Sequence, residues 1–254
     1  MNPFDLTGRV ALITGGNGGL GLGMARGLAR AGADIAIAAR DASKSKAAAQ
    51  ELRAIGVRCE FYAVHVASRE SCHAMVDAVI AEFDRCDILV NNAGMSIRKP
   101  PEQITEDEWR QVLDVNLGGA LFSAQAVYPH MKAARRGKII NIGSMYSLFG
   151  APMVAPYAAS KGGLVQLTRS LATAWAADNV QVNAILPGWH DTDLTRRARE
   201  QVAGLHDFVL ARTPAGRWGE PDDLAGAAVF LASAASDFVT GALLPVDGGY
   251  SARG

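Results

Sequence analysis

Arg9-Val10-Ala11-Leu12-Ile13-Thr14 runs without interruption into Gly15-Gly16-Asn17-Gly18-Gly19-Leu20-Gly21, a strand pattern followed by a glycine-rich turn. The first six residues form an apolar run of strand length. Leu20, Met24 and Leu28 then fall at helical spacing, and Gly32 closes the helix. A glycine-rich turn between strand and helix lets backbone N–H groups approach a pyrophosphate, with the positive end of the helix dipole facing the anion. Two registers fit: Gly16, Gly18 and Gly21 give GxGxxG, and Gly15, Gly19 and Gly21 give TGxxxGxG. Either makes the turn a dinucleotide cradle, and a plain tight turn is the alternative.

Outward from this unit, short β-branched runs alternate with helical patterns. Strands are expected at Ile35–Ala39, Arg58–Val64, Ile88–Asn91, Lys138–Ile142, Val180–Ile185 and Ala242–Val246. Helices are expected at Ser43–Ile55, Ser68–Phe83, one long stretch over Glu106–Ala134, about Tyr157–Ala177, and Pro221–Ala232. Strands spaced by helices of this length imply right-handed βαβ crossovers and a parallel sheet covered on both faces. The fold class is therefore α/β: one Rossmann-type, doubly wound domain over residues 1–254 with a seven-stranded parallel sheet. Segment Pro187–Arg217 reads as irregular, polar and long for a connection, as expected of a substrate loop or lid.

Lys plus Arg and Asp plus Glu balance at 25 each, so no long-range field draws the chain to nucleic acid or an anionic membrane. A small-molecule partner is the expectation. No apolar run approaches the roughly 18–20 residues of a membrane span, and no secretory signal is visible at the N-terminus, so a cytoplasmic location is expected. Cys59, Cys72 and Cys86 are widely spaced and without a CxxC pair, which suits buried thiols in a reducing compartment. His65, His73, His130, His190 and His206 are scattered rather than at ligand spacing, and no metal site is expected.

The second strand ends Ala38-Ala39-Arg40-Asp41. An acidic residue here normally bonds the adenosine ribose of NAD, whereas neutral Ala39 leaves room and Arg40 can pair with a 2′-phosphate. NADP is the preferred cofactor on this reading and NAD the alternative, because Asp41 can reach the ribose itself or neutralise Arg40. Farther on, Tyr157 and Lys161 lie four apart in a helix and share a face. A free phenol has a pKa near 10, and a neighbouring ammonium lowers it toward the working range of an acid–base catalyst. Ser144, just past the fifth strand, can hydrogen-bond a substrate carbonyl beside Tyr157.

Thr14–Gly21, Asn91-Asn92-Ala93-Gly94, Asn116, Ser144, Tyr157-Ala158-Ala159-Ser160-Lys161, Pro187-Gly188 and Val246-Asp247-Gly248-Gly249 occur in this order over nearly the whole chain. Together they closely resemble the short-chain dehydrogenase/reductase family. The resemblance implies an alcohol–ketone oxidoreductase with catalytic residues Asn116, Ser144, Tyr157 and Lys161. Tyr157 would transfer the proton, Lys161 lower its pKa and bond the nicotinamide ribose, Ser144 hold the reacting oxygen, and Asn116 anchor a relay water. It also implies cofactor contacts from Gly15, Asn17, Gly19, Leu20, Gly21, Arg40, His65, Val66, Asn92, Gly94, Tyr157, Lys161, Pro187, Gly188 and Thr192, and a homotetramer.

Two departures from the family pattern stand out. His65-Val66 replaces the Asp that commonly meets the adenine amino group, and Gly18 stands where NADP-preferring members often carry a basic residue. For substrate, Arg98, Ser144, Tyr146 and His190 are the candidate contacts, with Arg98 and His190 suited to an anionic or polyhydroxy molecule. The runs Ser96–Pro100, Ser144–Ser147 and Thr213–Gly219 resemble family members that act on sugar acids, the gluconate 5-dehydrogenases and 2-dehydro-3-deoxy-D-gluconate 5-dehydrogenases. A 3-oxoacyl-carrier-protein reductase is the alternative enzyme, and a non-catalytic dinucleotide-binding sensor the remote one.

Overall fold

Along β1 (Val10–Thr14) every side chain is buried, and successive residues point to opposite faces. Ala11 and Ile13 enter one apolar layer with Met24, Leu28 and Leu231, while Val10 and Leu12 enter a second with Val76, Val79 and Val127. Burial on both faces explains the unbroken apolar run in the sequence. Each fully enclosed Leu or Ile in these layers contributes about 1.5–3 kcal/mol relative to an exposed one.

The computed structural model describes residues 2–253. After β1 come α1 (Gly19–Arg30), β2 (Asp34–Ala39), α2 (Ala42–Arg53), β3 (Cys59–Ala63), α3 (Arg69–Phe83) and β4 (Ile88–Asn91). The chain continues through α4 (Glu106–Leu113), α5 (Gly119–Ala133), β5 (Gly137–Ile142), α6 (Ala155–Trp175) and β6 (Val180–Pro187). It ends with α7 (Asp193–Gln201), α8 (Leu205–Arg212), α9 (Ala225–Ala232) and β7 (Leu243–Val246). The sheet order is β3-β2-β1-β4-β5-β6-β7 with every neighbouring pair parallel. Strand order reverses between β1 and β4, and in such sheets ligands bind in the crevice at the carboxyl ends of the strands, at that reversal.

Two stretches depart from the sequence expectation. The long helix over residues 106–134 is broken by a π-helical turn at Asp114–Gly118, whose extra residue per turn re-aims Asn116 inward. Such turns sit frequently at functional sites. The supposedly irregular segment 187–217 contains α7 and α8. It lacks an apolar stripe because Asp193–Gln201 is polar nearly all round. Its helical content comes from a capping pair, Thr192 and Thr195, and a small core of Ala198, Leu205 and Val209 packed on Trp189, Val202 and Trp218. Cys59, Cys72 and Cys86 are all buried. No helix among the described residues is long and apolar enough to cross a membrane.

Candidate active site

A cleft of about 730 Å³ opens at the carboxyl ends of β1, β4, β5 and β6. Its first wall is the glycine turn. Gly15 and Gly19 adopt φ of +66° and +51°, a region that other residues rarely enter. A Cβ on Gly21 would lie 2.3 Å from the Gly15 carbonyl oxygen. These three positions select the TGxxxGxG register. Helix α1 starts with no side-chain cap and no acidic residue in its first turn, so its N-terminal N–H groups and dipole are left for an anion. Asn92 Nδ2 donates to the Thr14 and Gly15 carbonyls at 3.1 Å each, and Thr14 Oγ1 accepts from the N–H groups of Asn92 and Ala93 at 3.1 Å each. The loop after β4 is thereby stitched to the turn. Asn17 ties the turn to α2 through Nδ2, which donates to Ser45 Oγ at 3.1 Å.

Deeper in the cleft lie Ser144, Tyr157 and Lys161. Ser144 sits at the end of β5 with its Oγ accepting from the Tyr146 N–H at 3.1 Å. Lys161 is buried, and its Nζ donates to the Ile142 carbonyl at 2.7 Å while lying 5.7 Å from the centre of the Tyr157 ring. Burial pushes the Lys161 ammonium down to about 8. Burial also raises the Tyr157 phenol, and a hydrogen bond with Ser144 opposes the rise.

The Lys161 ammonium is directed at the Ile142 carbonyl, and burial acts on the phenol against the lowering that the sequence reading expects of the lysine.

Asn116 is fully enclosed. Its Oδ1 accepts from the Met95 N–H at 2.8 Å, and its Nδ2 donates to the Met95 carbonyl at 2.9 Å and to Ser160 Oγ at 3.0 Å. The amide clamps the loop after β4 onto α6. Its Oδ1 and Lys161 Nζ flank Gly94, at 3.3 and 3.6 Å from where a Cβ would stand.

Gly15, Asn17, Gly19, Leu20, Asn92, Gly94, Ser144, Tyr157, Lys161, Pro187, Gly188 and Thr192 all line the cleft, as do Arg98, Tyr146 and His190. Thr192 caps α7 and stands over the glycine turn, its Cβ 3.7 Å from the Cβ position of Gly19. Tyr146 packs edge-on between Tyr157 and Trp189, with ring centres 6.3 and 6.1 Å away. Arg98 makes no ion pair among the described residues, which leaves its guanidinium to face the cleft contents.

Five of the expected site residues are not in the cleft wall. Gly21 and Asn116 lie just behind it, supporting the turn and the loop after β4. Arg40 is exposed at the end of β2 and outside the lining. Asp41 neither reaches the cleft nor neutralises Arg40, because its carboxylate caps α2 by accepting the Lys44 N–H at 2.9 Å. His65 is exposed, and Val66 packs against Gly119 at the start of α5. Asn91, the first residue of the Asn91–Gly94 run, turns into the sheet and donates to Asn141 Oδ1 at 2.9 Å.

His190 lines the cleft but is not a ready cation. Burial lowers its pKa, against a hydrogen bond from Nδ1 to the Gly188 carbonyl, so it offers a neutral ring at pH 7. The sequence reading missed Lys44, Asp193, Leu194, Arg197 and Gln201, all in the lining. Lys44 was hidden in an ordinary exposed helix start and the others in a segment without apolar periodicity.

A family model described as enoyl-(acyl carrier protein) reductase matches residues 15–251. The chain belongs to the short-chain dehydrogenase/reductase family. As a member it is an NAD(P)-dependent oxidoreductase that acts on CH–OH groups. It is 42% identical to a 2-dehydro-3-deoxy-D-gluconate 5-dehydrogenase of Pseudoalteromonas atlantica over 254 residues, the whole length of both chains. It is 40% identical to the gluconate 5-dehydrogenase of Gluconobacter oxydans over 248 residues, 97% of this chain and 96% of that one. The crystal structure of a gluconate 5-dehydrogenase from Burkholderia cenocepacia in complex with NADP and tartrate superposes with a TM-score of 0.95 at 45% identity, covering 100% of this chain and 99% of that one.

Proposed function

We propose that this short-chain dehydrogenase/reductase interconverts a ketone and a secondary alcohol on a sugar acid such as 5-keto-gluconate, with NADPH preferred. The observation that carries the reading is the convergence of Ser144, Tyr157 and Lys161 with the unpaired Arg98 guanidinium in the cleft that begins at the glycine turn. The names of the relatives support the substrate class, and the Burkholderia enzyme bound to NADP supports the cofactor.

Nicotinamide, when bound, supplies or accepts the hydride. Tyr157 gives its phenolic proton to the ketone oxygen, or takes it back from the alcohol. Ser144 Oγ donates a hydrogen bond to the reacting oxygen and fixes it beside the phenol. Lys161 bonds the nicotinamide ribose and offsets phenolate charge after transfer. Asn116, by holding Met95, sets the loop through which a relay water returns the proton to Tyr157. Arg98 pairs with the substrate carboxylate, while Tyr146 and neutral His190 offer a ring face and hydrogen bonds to its hydroxyls. Residues 187–217 act as the lid of a single domain.

The enzyme works as a homotetramer in the cytoplasm. Support for assembly comes from α6, where Ala159 is exposed and Gly162 faces open space, leaving a surface that a second helix can approach closely. Thiols raised by burial, Cys59 and Cys86 to about 12, suit a reducing compartment. The substrate test is NADPH oxidation over a panel of 5-keto-gluconate, 2-dehydro-3-deoxy-gluconate and acyl thioesters. Turnover of the keto-acids is expected, and turnover confined to thioesters overturns the assignment. Sedimentation tests the tetramer, with a monomer contradicting it.

A further inference from the structure

The turn from Thr14 to Gly21 contains no charged residue, and Arg40 lies outside the cleft lining. A cation nevertheless stands over the turn. Lys44 projects from the first turn of α2, directly after the end of β2, which is the adenosine-ribose end of such a site. Its Nζ is 2.9 Å from where a Cβ on Gly18 would be, so the bare glycine leaves the space that the ammonium fills. The same Nζ is 3.2 Å from Asp193 Oδ2, at the start of α7 on the opposite wall. This bond joins the lid to the nucleotide wall across 149 residues of sequence.

We propose that Lys44 binds the 2′-phosphate of NADPH, exchanging Asp193 for it. The proposal rests on reading the cleft as a dinucleotide site. Both partners are solvated, with side-chain exposures of 48% for Lys44 and 64% for Asp193, so their pairing is weak and readily exchanged. A phosphate monoester carries a charge of about −2 against −1 for the carboxylate, and its charge-assisted bonds are stronger. Asp193 is not stranded by the exchange. Arg196 Nη1 remains 3.1 Å from its Oδ1, and it keeps its place in the first turn of α7, where the helix dipole favours an anion. Asp41 does not compete for the ammonium, since its carboxylate is spent on capping α2.

The test is calorimetric titration of NADPH and NADH into the wild-type protein, Lys44→Met, Asp193→Asn and the double variant. Lys44→Met is expected to weaken NADPH by about 10- to 100-fold while leaving NADH within about twofold, the NADH arm also reporting that the variant is folded. Asp193→Asn is expected to tighten NADPH by about two- to fivefold, an effect that vanishes in the Lys44→Met background. Unchanged NADPH affinity in Lys44→Met overturns the proposal. Equal weakening of both dinucleotides also overturns it, by moving the lysine to the pyrophosphate. A wild-type protein that binds neither dinucleotide refutes the proposed function itself, and this inference with it.

Discussion

On one side of the cleft, residues 14–21 are held by backbone. Two glycines sit at positive φ, the α1 start packs within 2.3 Å of a would-be methyl, and Asn92 bonds two carbonyls of the turn. On the other side, a backbone bridge ties His190 to Gly219, and the rest of residues 189–217 leans largely on side chains. Asp191 pairs with Arg196 and Arg199, Asp193 with Lys44 and Arg196, and three buried residues of α7 and α8 pack on two tryptophans and a valine. Leu194 and Phe208 remain half exposed there. The first wall has no room for a methyl at Gly15 or Gly21, whereas much of the second is assembled from individually weak contacts that can re-form around a ligand. A rigid wall suits a cofactor of constant shape, and a deformable one suits a step of closing and release.

Single substitutions put the contrast between the two walls to the test. Tyr157 lines the cleft, and the proposed function gives it the proton transfer. Tyr157→Phe is expected to lower kcat for ketone reduction by about 10²–10⁴-fold with NADPH affinity nearly unchanged, as kinetics and titration together would show. Gly21→Ala places a methyl against the Gly15 carbonyl and Asn92 Nδ2. It is expected to cost about 1–3 kcal/mol of stability and to weaken both dinucleotides, read by denaturant melts and titration.

Lys161→Met has the opposite sign for stability. The folded protein depresses the lysine from 10.5 to about 8, so below pH 8 its buried charge opposes folding. That penalty fades as pH rises from about 8 toward 10.5. The variant loses the bond to the Ile142 carbonyl but removes the penalty, and is expected to gain about 2 kcal/mol at pH 7. The gain shrinks through that alkaline window while activity is lost throughout. Asp191→Asn weakens two ion pairs, to Arg196 and Arg199, that reach solvent, and its effect is expected to stay below about 1 kcal/mol. A loss as large as that of Gly21→Ala would erase the distinction between the walls.

The rigid wall was legible because its constraints are steric and local. Glycines follow a buried strand, and an apolar period of 3.6 follows the glycines. The joint spacing of Ser144, Tyr157 and Lys161 along the chain singled them out as catalytic candidates, and folding brings the three into one cleft. Physics that depends on three-dimensional surroundings was not. The desolvation that pushes the Lys161 ammonium down to about 8 needs the packed environment, and Lys44 meets Asp193 only after folding brings residues 149 apart together. Helix α7 escaped because its polar, arginine-rich face gives no periodic signal, and the π-turn at Asp114–Gly118 because helical spacing continues smoothly on both sides of it. Arg40 illustrates the converse. A basic residue at the right sequence position lies outside the cleft, and another four residues later lies inside it.

The central claim is that Tyr157 is the group that gives its proton to the ketone oxygen. Its most direct measurement is the pH dependence of keto-gluconate reduction at saturating NADPH, for the wild-type protein and Tyr157→Phe. A rate that is level through neutral pH and falls on the alkaline side, as phenol and ammonium lose their protons, with no such fall in the residual activity of the phenylalanine variant, is the predicted result. A wild-type rate that climbs steadily from neutral into alkaline pH would contradict it.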